Sequence, residues 1–227
     1  MEESLENKIR RIVVRSVAFE GWSSSLIKAA CSELGIDHNV SKTLFPRGII
    51  DIALANHRDG DKKMIKILAD TDFEGVKIRQ KITFAIKSRL QIIENEKELV
   101  KKTMSFFSLP QNFLDGHQLI WGTSDIIWNF FEDDSSDYNY YTKRLILSGV
   151  YGSVVLFWLG DDSKDNSSTW EFLDRRIQNV MSFESFKSKM KANSHVYRSL
   201  KVPRKILSTI KRPSDKRNWD VPGTRRP

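Results

Sequence analysis

The chain predicts an all-α fold, and three observations carry that expectation. Apolar residues recur at helical spacing along most of its length. Six prolines and eleven glycines in 227 residues leave little punctuation for a strand-and-turn architecture. Hydrophobic residues make up 40% and charged residues 29%, which supplies a packed core and excludes wholesale disorder.

The elements follow in order. Ile9, Ile12, Val13 and Val17 form one face of a first helix that Gly21 stops. Ser23 to Ser25 offer N-caps for a second helix carrying Leu26, Ala29, Ala30 and Leu34, closed by Gly35. Asp37 caps a third ending near Leu44, where Phe45-Pro46 breaks it. A fourth runs over about 47–57, with Ile49, Ile50, Ala53 and Leu54 inward. The run Asp59-Gly60-Asp61 reads as a turn, after which helices are expected over 62–70, 73–94, 96–107, 116–131, 139–159 and 168–192. This gives a small helix-turn-helix-like head (1–58), a larger helical body (59–193) and a basic, proline-punctuated tail (194–227). The order of the first four helices resembles the head of TetR-type regulators, whose third helix enters the DNA major groove.

Charge argues against that use of the head. The formal net charge of +8 lies wholly in the tail, where 196–227 hold ten Lys/Arg against Asp215 and Asp220. Residues 1–60 balance eight basic against eight acidic side chains, and the third helix carries only Lys42. Cationic phosphate contacts supply most non-specific DNA affinity, so nucleic-acid binding is not expected. A ligand-gated repressor stays as the alternative, with His38, Asn39 and Ser41 as its base-contacting candidates. Cys31 is alone, which rules out an intrachain disulfide, and His38, His57, His117 and His195 are too scattered for a metal site.

The most unusual stretch runs from Asp125 to Arg144, with acids clustered at 132–137 among Trp128, Tyr138, Tyr140 and Tyr141. A di-iron carboxylate enzyme would need Glu-x-x-His pairs, and the chain has none, so no catalytic residue is assigned. The acids fall between two helices, where they can cap the second. Adjacent aromatics on one helix cannot all face one core, so an exposed ring beside fixed charges is expected, the composition of a docking hot spot.

Here the sequence resembles the TetR-like accessory proteins of ubiquinone biosynthesis, the Coq nine family. The resemblance rests on Asp125, Trp128, Asp133, Ser135, Asp137 and the run Asn139-Tyr140-Tyr141-Thr142-Lys143-Arg144. Ser148-Gly149-Val150-Tyr151, the stretch Trp170 to Ile177, and Leu44-Phe45-Pro46-Arg47-Gly48 also match, so it covers about residues 8–185. Two positions depart from the pattern: Tyr140 stands where the family has Trp, and Glu132 where it has Gly. The resemblance implies a TetR-like fold, a homodimer through the last two long helices, and an isoprenoid lipid or quinone precursor bound in an apolar pocket without a further cofactor. It also implies presentation of that lipid to the demethoxyubiquinone hydroxylase. Partner docking is thereby assigned to Asp125, Ile127, Trp128, Asp137, Asn139, Tyr140, Tyr141, Lys143 and Arg144.

The helix over 139–159 is apolar on nearly all sides after Arg144, so it needs a core on one face and a lipid or second protomer on the other. Pocket candidates are the large apolar residues Phe84, Leu90, Phe106, Phe107, Leu119 and Val154, with Ile127 also in reach. The 15-residue apolar stretch from Leu145 to Leu159 falls short of the ~20 needed to cross a bilayer. The opening MEESLENKIR lacks a secretory apolar core. In the tail, Pro203 can start a helix that sets Ile206, Leu207 and Ile210 on one side, flanked by Arg204 and Lys205, suited to an anionic membrane surface. A cytoplasmic protein held peripherally at the inner face of the membrane is expected.

Overall fold

The computed structural model describes residues 3–133, 135 and 138–192, with the backbone alone at Tyr138 and over 181–192. Among the described residues the ordered elements are α1 (Leu5–Glu20), α2 (Ser24–Glu33), α3 (His38–Leu44), α4 (Ile49–Ala69), α5 (Ile78–Gln91), α6 (Lys97–Ser108), α7 (Phe113–Phe130), α8 (Tyr138–Leu159) and α9 (Ser167–Ala192), with one 3-10 turn at Lys164–Asn166. The all-α expectation holds.

Local chemistry sets the head. Ser4 accepts from the Asn7 amide to start α1, Ser23 from Ser25 to start α2, and Asp37 from Asn39 to start α3. Gly21 and Gly35 close α1 and α2 with φ of 75° and 66°, a conformation that only glycine adopts at no steric cost. Ile9, Val13 and Val17 of α1 pack against Leu26, Ile27 and Ala30 of α2, with Phe45 and Ile52 behind them.

The turn expected at Asp59-Gly60-Asp61 does not form. α4 runs unbroken through it, so the boundary drawn between 58 and 59 falls inside one helix. Head and body share more than this rod, because Leu99 of α6 is buried in the head cluster. Three further boundaries shift. α5 runs over Ile78–Gln91 rather than 73–94, behind a turn at Gly75 (φ 69°), and α7 begins three residues before 116.

The body is built around α8. Leu147, Val150, Tyr151, Val154, Val155 and Trp158 are buried there, against Met64 and Leu68 of α4, Ile82 and Ile86 of α5, and Leu173 and Ile177 of α9. The Asp161 carboxylate accepts from the Thr169 amide (2.8 Å) and hydroxyl (2.6 Å) and so caps the start of α9. One strip of α8 stays uncovered: Leu145 and Leu156 are exposed, and Phe157 stacks on Phe172 of α9 at 4.4 Å. No helix among the described residues is long and apolar enough to cross a membrane.

Candidate functional site

Two places combine chemistry with geometry: the α7–α8 hairpin, which carries the unusual sequence motif, and a cavity among α4 to α8.

At the hairpin, α7 ends in a Schellman turn. The Glu132 amide donates to Asn129 O (3.1 Å) and the Asp133 amide to Trp128 O (3.1 Å). Glu132 occupies the left-handed position at φ 56°, which accounts for the glycine expected there by the resemblance. This turn delivers Asp133 to the basic residues of α8. Lys143 Nζ lies 2.7 Å from its Oδ1 and Arg144 Nη1 2.9 Å from its Oδ2, and Ser135 Oγ donates to Oδ1 at 2.8 Å. Burial alone would raise the Asp133 pKa; the hydrogen bonds from Lys143, Arg144 and Ser135 outweigh it and hold the carboxyl at about 2.

Arg144 is fully buried, and each of its guanidinium nitrogens has an acceptor. Nε donates to Asp125 Oδ1 (2.5 Å), Nη1 to Asp133 and to Tyr140 O (3.1 Å), and Nη2 to Asn129 Oδ1 (2.9 Å). Its guanidinium stacks 3.5 Å from the Tyr140 ring centre, and the Tyr140 hydroxyl donates to Asp125 (3.1 Å). Trp128 Nε1 donates to Lys143 O (3.2 Å), with the Lys143 ammonium 5.2 Å from the Trp128 ring centre.

The geometry corrects three docking assignments. Tyr140 is buried at 8% exposure, Ile127 at 1% and Arg144 at 0%, so none of them presents itself to a partner. Adjacent aromatics coexist because Tyr140 turns in under Arg144 while Tyr141 turns toward Trp121, ring centres 6.3 Å apart. Asp125, Trp128, Asn139, Tyr141 and Lys143 keep part of their surface in solvent. Asp137 lies outside the described residues, as do Arg204, Lys205, Ile206, Leu207 and Ile210 of the tail.

The cavity has a volume of about 240 Å³. Of the pocket candidates, Phe107 and Leu119 line it. Phe84, Leu90, Phe106, Val154 and Ile127 do not. Leu90, Val154 and Ile127 are sealed in the body core, Phe84 packs edge-on against Phe73, and Phe106 packs against Trp22. Ala53, Ile93, Leu99, Val100, Met104, Ile120 and Val155 add further apolar lining. Ser108, Phe113 and His117 also line it and are exposed, so the cavity opens at the α6–α7 turn, where Leu109 and Leu114 add exposed apolar surface.

The opposite wall is polar. Arg89, His57 and Tyr151 line it. Asp61 Oδ1 accepts from Arg89 Nε (2.8 Å) and from Thr123 Oγ1 (3.0 Å), and His57 Nε2 lies 3.0 Å from the same hydroxyl. Burial, with Arg89 and Arg58 nearby, presses the His57 pKa to about 3, so the ring is neutral at pH 7. Burial also pushes the Asp61 carboxyl up, while Arg89 and Thr123 pull against it. This wall was missed from sequence, yet a signal was there. Ile82, Ala85, Ile86 and Arg89 fall at helical spacing, which places a charge on the buried face of α5.

Comparison with known proteins adds similarities over most of the chain. Residues 114–184 match the COQ9 family model, a segment that runs from α7 into α9 and contains the hairpin. The chain is 28% identical over 190 residues to "Probable ubiquinone biosynthesis protein coq9, mitochondrial" of Dictyostelium discoideum, covering 81% of this chain and 62% of that protein. It is 27% identical to the COQ9 protein of Rattus norvegicus (79% and 60% covered) and 25% identical to that of Homo sapiens (79% and 58%), both named as mitochondrial ubiquinone biosynthesis proteins. The chain therefore spans about three fifths of the length of the curated relatives it matches. Among solved structures it is similar to a TetR transcriptional regulator from Nitrosomonas europaea, with a TM-score of 0.62 at 14% identity, covering 78% of this chain and 97% of that one. The fold is TetR-like.

Proposed function

From the premise that residues 114–184 form a COQ9 domain on a TetR-like frame, we propose that the chain is a non-catalytic accessory protein of ubiquinone biosynthesis. It holds an isoprenoid lipid or quinone precursor and presents it to the demethoxyubiquinone hydroxylase. The observation that carries this reading is the cavity of about 240 Å³, apolar over most of its lining and open at an apolar rim. A concave apolar site with a few converging polar groups suits a lipid carrying a small head. The exposed Leu109, Phe113 and Leu114 would let the rim meet a membrane, and the basic tail would hold the chain at that surface on the cytoplasmic side. A homodimer would cover the exposed strip of α8 at Leu145 and Leu156.

The hydroxylase would dock on the solvent side of the hairpin, over Asp125, Trp128, Asn139, Tyr141 and Lys143. Buried Tyr140 and Arg144 would act by holding that surface in shape. The repressor reading fares less well, because the head of a DNA-binding protein needs cations that residues 1–60 do not supply in excess.

Pull-down of the hydroxylase beside a thermal melt tests the docking surface. Tyr141→Lys is expected to weaken capture at least tenfold with the melting temperature nearly unchanged. Tyr140→Ala is expected to lower the melting temperature, since it empties the space beneath Arg144. Full capture by Tyr141→Lys would refute docking at this surface.

A further inference from the structure

We propose that Arg89 is the anchor for the head of the bound lipid, and that the head it selects is uncharged and offers a carbonyl oxygen. The proposal rests on the reading of the cavity as a lipid site and adds what that site recognises.

Among the described residues two arginines are buried, Arg89 and Arg144. In Arg144 every guanidinium nitrogen has an acceptor. In Arg89, Nε donates to Asp61 and Nη2 to the His57 carbonyl (3.1 Å), but Nη1 is buried without a partner. A buried donor left unpaired is destabilising, and native structures hold few of them. Arg89 is 2% exposed and lines the cavity, so an acceptor on a bound molecule can complete its set.

The position is built rather than accidental. A Cβ on Gly60 would lie 2.5 Å from Arg89 Cζ and 2.7 Å from Nη1, so the guanidinium lies flat against α4 where only glycine leaves room. Asp61, the next residue, fixes it from the side.

Charge selects the kind of head. Asp61 already neutralises Arg89, nearby Arg58 is exposed and screened by solvent, and neutral His57 adds nothing at pH 7. A carboxylate or phosphate would bring a second buried anion to a cation that already has one, which is unfavourable at low dielectric. A carbonyl oxygen satisfies Nη1 without that cost. Tyr151 stands on the same wall, and the apolar chain would then run along Val155 and Met104 toward Phe113 at the mouth.

Binding of three probes tests this: benzoquinone carrying one geranyl chain, geranylbenzene of the same shape without oxygen, and decanoate. Arg89→Lys keeps a charge for Asp61 but removes the Nη1 position. The double variant Asp61→Asn with Arg89→Met removes the charged pair together, so no lone buried charge threatens folding. Wild-type protein should bind the quinone at least tenfold more tightly than geranylbenzene. Both variants should lose that advantage and keep geranylbenzene affinity within about twofold. Wild-type affinities that are equal for quinone and geranylbenzene, or a quinone advantage that survives in the variants, would overturn the anchor while leaving the lipid site intact. Tightest binding of decanoate would overturn the choice of an uncharged head. Binding of none of the probes would refute the lipid site itself.

Discussion

Gly60 shows how one residue can carry an architecture. A glycine inside a helix ordinarily weakens it by about 1 kcal/mol relative to alanine. Here the missing Cβ makes room for the Arg89 guanidinium, and a methyl group would meet it at 2.5 Å. Gly60→Ala would gain that ~1 kcal/mol of propensity but displace a buried ion pair, whose disruption is worth roughly 3–5 kcal/mol. The net expectation is a loss of about 2 kcal/mol or more and a melting temperature lower by several degrees. Gly122→Ala on α7, where nothing lies within 4 Å of the added carbon, should raise it instead. A rise at both positions would show that the Arg89–Asp61 pair contributes little. From sequence alone, Asp59-Gly60-Asp61 reads as a turn because glycine between acids is common in turns. Arg89, the partner for which that glycine leaves room, stands 29 residues away, beyond any local pattern.

At the scale of elements, the α7–α8 hairpin is a polar clasp rather than an aromatic display. Its members were legible in the sequence, because Asp125, Asp133 and Arg144 belong to one recognisable motif. Their orientation was not legible: whether a ring faces solvent or a neighbouring guanidinium depends on the Schellman turn that sets Asp133 under Arg144. Of the residues expected to line a pocket, Phe107 and Leu119 line the cavity, while its polar wall went unseen.

The clasp and the cavity wall should both contribute to the acid response, beside the Asp161 cap of α9, whose hydrogen bonds from Ser163 and Thr169 also hold its carboxyl low. His57 titrates at about 3 when folded against 6.5 in the free side chain, so the unfolded chain binds more protons between those values. Its contribution is complete above pH 6.5 and is lost as pH falls toward 3, by as much as ~1.4 kcal/mol per unit. Asp133 is depressed to about 2 from 3.8, so its contribution is present above 3.8 and lost as pH falls through 2. Thermal melts from pH 7 to 2 should therefore decline in two stages. His57→Gln is expected to flatten the upper stage and Asp133→Asn to shrink the lower, which Asp161 shares, and a His57→Gln profile parallel to wild type would contradict the assignment.

For the whole molecule, the small head and the larger body pack as one structure. α4 spans both, and Leu99 of α6 is packed among head residues. The cavity lies behind that joint, lined by Ala53 of α4 and Leu99 itself. In a TetR-like frame this is where a helical body meets its head, so a bound molecule touches the elements that set their relation. A neutral head and a basic tail then suit the proposed partners, a lipid, a membrane surface and another protein, better than a role in reading DNA.

The central claim, that the cavity holds a lipid, is tested most directly by mass spectrometry of organic extracts from the purified protein and its Gly152→Leu variant. Gly152 lines the cavity from α8, and a Cβ there comes no closer than 4.0 Å to Ile120. A leucine can thus extend into the open volume without pushing the backbone, and should also favour the helix. The account predicts isoprenoid or quinone lipid near one molecule per wild-type chain, and a drop to a small fraction in a variant that melts no lower than wild type. Lipid retained in full by Gly152→Leu, or no lipid in repeated wild-type preparations, would contradict it.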